Sequence, residues 1–141
     1  MATPVGTGSA LWHGVHTALV TPFADGEIDL DAWESTIARQ IRAGIHGVVV
    51  AGTTGESPTL EDAERDALLT DALGVANHRI PVTMGVGTNS TRSTLRYCER
   101  AKELGADAGL LVLPYYNKPN RAGLLAHVGQ AAAVGLPLIV Y

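Results

Sequence analysis

The sequence predicts an α/β fold with a parallel sheet, on three observations. A unit of strand, loop, amphipathic helix and Gly or Asn recurs along the chain. Its strands are continuous apolar runs, such as Val48 to Ala51 and Ala108 to Leu113, the pattern of a sheet covered on both faces rather than half-exposed. The chemically unusual loops all follow strands, where parallel sheets bind ligands, while the helix-to-strand connections are short and plain. Repeated βα units leave two architectures, an open doubly wound sheet or a (β/α)8 barrel.

The elements follow in order. Val15 to Val20 reads as a first strand closed by Thr21-Pro22, and Asp25-Gly26 as a turn. A helix runs from about Asp31 to Ala43, with Leu30, Trp33, Ile37 and Ile41 as its apolar stripe. Asp31 and Glu34 resemble a capping box, and Gly44 terminates the helix. Its place in the stripe assigns Trp33 to the core. Gly47 to Ala51 is the second strand, followed by Gly52-Thr53-Thr54-Gly55-Glu56-Ser57. The next helix covers about Leu60 to Ala76, capped by Thr59, with Glu61 and Arg65 as a surface pair four residues apart. Pro81 to Val86 is the third strand and runs into Gly87-Thr88-Asn89. A helix from Thr91 to Leu104 turns Leu95, Cys98, Ala101 and Leu104 inward, and Gly105 follows it. The fourth strand, Ala108 to Leu113, leads into Pro114-Tyr115-Tyr116-Asn117-Lys118-Pro119. The fourth helix, Arg121 to Val134, carries Leu124, Leu125, Val128 and Ala132 on one side and ends at Gly135. Leu136 to Tyr141 is a fifth strand. A (β/α)8 barrel takes about 250 residues, so these four and a half units are expected to be the N-terminal part, 1–141, of a single domain in a longer polypeptide.

Composition narrows the function. Apolar residues make up 46% and charged residues 17%, which is globular rather than disordered. The net charge of −4 and the absence of a basic stripe argue against nucleic acid. Met1 to Ala10 lacks the basic start and apolar core of a signal peptide, and no apolar run approaches the roughly 20 residues of a membrane span, so the expected location is cytoplasmic. Cys98 is the only cysteine and is expected to be a buried structural thiol.

Familiar chemical motifs fit poorly. Gly85-Val86-Gly87 starts like a dinucleotide fingerprint, but Ser90 stands where its last glycine would be, and Gly52 to Ser57 lacks the lysine of a phosphate-binding loop. The histidines His13, His16, His46, His78 and His127 show no metal-ligand spacing, so no metal and no cofactor are expected. Two hydroxyls between glycines at a strand end could form a plain turn or receive a ligand on backbone N–H groups. Tyr115-Tyr116 could be packing or chemistry. A tyrosine, with a pKa of about 10, passes a proton at neutral pH without holding charge. Thr53, Tyr116 and Tyr141 all lie at strand ends on one face of the predicted sheet, where a chain of hydroxyls can relay a proton.

Gly-Thr-Thr-Gly-Glu-Ser-Pro-Thr-Leu from Gly52, Pro-Tyr-Tyr-Asn-Lys-Pro from Pro114, Leu-Pro-Leu-Ile-Val-Tyr from Leu136 and His-Thr-Ala-Leu-Val-Thr-Pro-Phe from His16 together carry a resemblance. From about Val15 onward the chain resembles the 4-hydroxy-tetrahydrodipicolinate synthase (dihydrodipicolinate synthase) family, within the class I pyruvate-dependent lyases and aldolases that include N-acetylneuraminate lyase. The resemblance implies a (β/α)8 barrel and a homotetramer of two tight dimers. It implies condensation of pyruvate with L-aspartate 4-semialdehyde through a lysine Schiff base, at the entry to diaminopimelate and lysine synthesis. By the same resemblance Thr53, Tyr116 and Tyr141 match the proton relay, with Tyr116 reaching the neighbouring subunit's site, and Thr53 and Thr54 match the positions that hold the pyruvate carboxylate.

In the family the Schiff-base lysine belongs to a later strand and the substrate-binding arginine follows the fifth strand. Lys102 and Lys118 match neither, so the segment alone is expected to be inactive and to expose sheet edges. The family's lysine-feedback site maps onto Ser57, Asp62, Arg65, Asn89, Ser93 and Tyr115. Sensitive bacterial members carry His where Arg65 stands and Glu where Ser93 stands, so weak or absent lysine inhibition is expected. The competing readings are another member acting on a sugar acid, and a non-catalytic βα domain.

Overall fold

The computed structural model of the chain describes residues 13–141; Met1 to Ala10, read above as no signal peptide, lie outside them. A first strand, β1 (His16–Ala18), leads into a small hairpin of β2 (Phe23–Ala24) and β3 (Glu27–Ile28). Then come α1 (Leu30–Arg42), β4 (Gly47–Val50), α2 (Asp62–Ala76), β5 (Val82–Gly85), α3 (Thr91–Leu104), β6 (Ala108–Leu111), α4 (Arg121–Ala133) and β7 (Leu138–Val140). The sequence shows the Asp25-Gly26 turn but not the hairpin around it, because two-residue strands leave no periodic pattern. Each predicted strand is longer than the observed one by residues that belong to its loops.

The main sheet has the order β1-β4-β5-β6-β7, parallel throughout. Every strand lies beside the next main-sheet strand along the chain. A doubly wound sheet reverses its order at a switch point, and no reversal occurs here. Successive crossovers of one hand lay the helices along one face, where α1 packs on α2, α2 on α3 and α3 on α4. This is the progression of a (β/α)8 barrel, of which the described residues form a part. The outer strands β1 and β7 each pair on one side only, and Val15, Val140 and Tyr141 beside them are more than half exposed.

The core lies between strands and helices. Trp33 and Ile37 of α1 are fully buried against Leu68, Leu69 and Ala72 of α2 and the valines of β4. The Trp33 indole also donates to the Leu68 carbonyl at 3.3 Å, so burying this ring leaves no orphan N–H. Cys98 is buried as expected, and burial pushes its thiol up to about 11, with Glu99 adding to the effect. It is an inert packing group.

Several local expectations are corrected. The N-cap of α1 is Asp29, whose carboxylate accepts from the Ala32 amide at 2.9 Å; Asp31 lies inside the first turn, where the helix dipole favours an acid. Leu30 is exposed rather than part of the stripe. The cap of α2 is Glu61, in a reciprocal capping box with Glu64, because Ser57–Thr59 form a separate 3-10 turn that takes Thr59 out of reach. The expected Glu61–Arg65 surface pair does not form, since Arg65 is buried and points to the strand ends. In α4 the inward residues are His127 and Ala131, with Leu124 and Val128 partly covered, while Leu125 and Ala132 face outward. The His127 ring meets the Thr91 hydroxyl at 2.9 Å, joining α4 to the start of α3, and burial lowers its pKa.

Candidate functional site

The parallel register brings the carboxyl ends of β4, β5 and β6 level, with Val50 beside Met84 and Gly85 beside Leu110. The chain leaves β4 through Ala51, which takes a left-handed φ of 50°. That sharp exit starts the loop Gly52 to Ser57. Internal bonds close it: Gly55 N–H and Ser57 N–H donate to the Gly52 carbonyl at 3.1 and 3.3 Å, and Glu56 N–H to Thr53 at 3.1 Å. Gly55 has to be glycine, because a Cβ there would lie 2.9 Å from the Leu19 carbonyl oxygen. The buried Thr21 hydroxyl donates to the Gly55 carbonyl at 2.8 Å and ties the loop to the end of β1. The Thr53 and Thr54 amides and hydroxyls bond to nothing among the described residues. Two successive N–H donors and two hydroxyls are therefore presented at the strand ends, a donor set suited to a carboxylate.

A cavity of about 420 Å³ opens over these strand ends. Thr53 and Tyr141 both line it, from the ends of β4 and β7 with β5 and β6 between them. Tyr141 is held by its backbone, with its N–H on the Leu111 carbonyl at 2.9 Å and its own carbonyl on the Leu113 amide at 3.1 Å. Thr54 lies outside the cavity lining. Of the positions matching the feedback site, Ser57, Arg65, Asn89, Ser93 and Tyr115 line the same cavity. Asp62 faces an adjoining crevice of about 190 Å³ between α2 and α3. There it accepts from the Tyr97 hydroxyl at 3.0 Å and pairs with Arg96 at 3.2 Å.

Tyr116 is separate from Thr53 and Tyr141. It is 92% exposed, lies outside the cavity lining and has φ 67°. Lys118 is also left-handed, at φ 41°, and Asn117 between them anchors the turn through its amide to the Asn89 carbonyl at 3.0 Å. Non-glycine residues in this region cost about 1 kcal/mol each, and such strain collects where a side chain must be aimed. The turn holds Tyr116 out from the chain that carries it.

Sequence reasoning misses Thr21 as a site-shaping residue and places Arg65 only at the feedback-site positions and in a surface pair. Thr21 appeared only as a strand-closing residue. Arg65 was read as a surface partner, yet it is 4% exposed. A signal existed: Arg65 shares one helical stripe with Leu68, Leu69, Ala72 and Ala76, all buried. A cation on an apolar stripe either snorkels to water or finds internal acceptors. Among the described residues, no group of three or more His, Cys, Asp or Glu converges as a metal site, and no helix is long and apolar enough to cross a membrane.

Comparison with known proteins agrees with this fold. Residues 11–141 match the dihydrodipicolinate synthetase family. The 4-hydroxy-tetrahydrodipicolinate synthase of Thermotoga neapolitana is 46% identical over 132 residues, which cover 93% of this chain and 45% of that protein. The crystal structure of the Thermotoga maritima dihydrodipicolinate synthase superposes with a TM-score of 0.91 at 43% identity, covering 93% of this chain and 45% of that one. A chloride-inhibited dihydrodipicolinate synthase from Acinetobacter baumannii, solved with pyruvate, gives a TM-score of 0.88 at 45% identity over 91% of this chain and 45% of that one. The chain thus spans about 45% of the length of the relatives it matches.

Proposed function

Because the chain belongs to the dihydrodipicolinate synthetase family, we propose that it is the amino-terminal part, residues 1–141, of a single-domain 4-hydroxy-tetrahydrodipicolinate synthase barrel. The complete barrel condenses pyruvate with L-aspartate 4-semialdehyde in the cytoplasm, with no cofactor. The observation that carries this reading is the Gly52–Ser57 loop, where Thr53, whose amide and hydroxyl have no partner among the described residues, lines a cavity that Tyr141 also lines.

The parts of the chemistry follow. The Thr53 and Thr54 amides and hydroxyls hold the pyruvate carboxylate. A lysine from the rest of the barrel attacks the keto carbon with loss of water; the protonated imine gives up a methyl proton to become an enamine, which attacks the aldehyde carbon of the second substrate. The hydroxyls of Thr53 and Tyr141 relay protons within the site. Tyr116, held outward by its strained turn, completes the relay from the neighbouring copy in a tight dimer, two of which make a tetramer. Its 92% exposure in the single chain fits that assignment.

Reductive trapping tests the reading. Incubation with pyruvate and borohydride is expected to leave the intact mass of the 141-residue chain unchanged, and to add one reduced pyruvate per subunit to a complete barrel carrying this segment. A stoichiometric adduct on the chain itself would refute the assignment of the reactive lysine elsewhere. No adduct on the complete barrel would refute the Schiff-base mechanism.

Feedback by lysine is expected to be weak. Of the positions matching the feedback site, Ser57, Arg65, Asn89, Ser93 and Tyr115 line the cavity, and the charged one is the Arg65 guanidinium. A ligand ammonium entering there meets a cation and neutral groups. Inhibition curves on the complete barrel should stay flat at sub-millimolar lysine; half-maximal inhibition in that range would overturn the expectation.

A further inference from the structure

We propose that Arg65 is a positioning residue for the carboxylate-binding loop: its guanidinium braces Gly52–Ser57 against the carboxyl end of β5. The proposal rests on the reading of that loop given above. Arg65 is the fourth residue of α2, and its side chain runs back across the start of the helix toward the strand ends. Nη1 donates to the Ser57 hydroxyl at 2.8 Å and to the Ser57 carbonyl at 3.4 Å. Nη2 donates to the carbonyl of Gly85, the last residue of β5. The guanidinium carbon lies 4.2 Å from the centroid of the Tyr97 ring on α3. One planar group therefore joins α2, the β4–α2 loop, β5 and α3.

The charge balance points the same way. Among the described residues Arg65 makes no ion pair: Asp62 pairs with Arg96, and Asp66 with Arg100 at 2.9 Å. A buried cation without a paired acid is costly unless its donors are well used. Here carbonyl and hydroxyl acceptors take charge-assisted bonds, and the aromatic face covers the guanidinium. Burial lowers the pKa of Arg65, while Tyr97, Asp62 and Asp66 act in the opposite direction. A surface residue gains nothing from this arrangement; a strut does. The rigid fork of arginine can hold two backbone segments at once, whereas the ammonium of lysine is a single point donor.

The geometry shows what the strut controls. Thr21 pins the middle of the loop at Gly55, and Arg65 pins its far end at Ser57. Thr53 lies in the same short turn, and its own amide and hydroxyl are left unpaired. Its distance from β5 and from Tyr141 is set by the two pins. Releasing Ser57 lets the loop drift, which weakens carboxylate binding before it disturbs the core.

Amide hydrogen exchange on this chain tests the brace without any pyruvate chemistry. In Arg65→Met, the Gly55, Glu56 and Ser57 amides are expected to exchange about tenfold faster, as a local opening does, with the β4 amides of Val48 and Val50 unchanged. Arg65→Lys should fail to restore wild-type protection, and Ser57→Ala should reproduce the loop effect with α2 intact. The proposal is overturned if the loop amides speed up no more than those of β4, or if lysine restores them fully. If Arg65→Met does not fold, Ser57→Ala alone decides by the same criterion. In a complete barrel, Arg65→Met should raise the pyruvate KM about tenfold, with kcat falling as well because Thr53 drifts from Tyr141; an unchanged KM overturns the link to the carboxylate. Faster loop exchange in a barrel that traps no pyruvate would leave the brace standing and sink the family mechanism instead.

Discussion

Thr53→Val in a complete barrel carrying this segment is expected to lower kcat by about 100-fold while leaving the pyruvate KM within about threefold. Valine keeps the shape of threonine and the backbone N–H, so both amides and the Thr54 hydroxyl still hold the carboxylate, and losing one hydroxyl contact to it costs little binding. What disappears is one hydroxyl between two proton carriers. Proton transfer by a positioned group contributes roughly 10²–10⁴-fold to rate, and a gap in a relay forfeits it. Tyr141→Phe should cost a similar factor, and the double variant should cost little more than either single one, because members of one relay do not act additively. Thr54→Val serves as the contrast, because Thr54 is assigned to the carboxylate and not to the relay; its effect should fall on the pyruvate KM, with kcat falling less than fivefold. Steady-state kinetics on the four variants read this directly. Equal effects of Thr53→Val and Thr54→Val, or a raised KM with an unchanged kcat, would remove Thr53 from the relay.

The legible part of the fold was the part governed by periodicity. The span of α3, Thr91–Leu104, follows from its stripe and from Gly105, which adopts φ 96° at the helix end. The apolar run Val48–Val50 announces a buried central strand, and all three valines are buried. Helix starts were less legible. Asp29 and Asp31 are chemically alike, and only the backbone turn decides which one caps. The choice between open sheet and barrel was hidden in the sequence repeat, because both contain the same units. Strand order separates them, and order is a long-range property.

The site divides the same way. Thr53 and Tyr141 could be placed on one face, because strand ends in a parallel sheet are level. That Tyr116 stands away from both depends on the left-handed turn from Tyr116 to Lys118, which has no glycine to signal it. Arg65 was hidden by a rule that usually holds, since a Glu and an Arg four residues apart on a helix read as a surface pair. The competing cue was its place on the buried stripe. Tertiary acceptors at Ser57 and Gly85 outweighed the local pairing.

Gly85→Ala is expected to destabilise the chain by about 3 kcal/mol, at the upper end of the usual cost of overpacking a core. Gly85 is buried at the end of β5, where the backbone of Ala51 crosses it. A Cβ on Gly85 would fall far inside van der Waals contact with the Ala51 carbonyl oxygen, with the Gly52 amide 3.2 Å away. The obstacle is backbone, so no rotamer change relieves it. Nor can β5 retreat easily, since the following Val86 and Gly87 amides both donate to the Leu110 carbonyl at 3.0 and 3.2 Å. Ala51 has to move, and it already sits in a left-handed turn. The displacement passes directly into Gly52 and the loop, so activity of a complete barrel should fall along with stability. Urea unfolding gives the measurement, with a shifted midpoint at constant slope. Gly129→Ala on α4 is the control, because an added methyl there meets open space and should raise stability through helix propensity. If Gly85→Ala matches the wild-type midpoint, the close approach of β4 to β5 does not fix where the loop begins. The carboxylate-binding geometry would then have to come from the Thr21 and Arg65 pins alone.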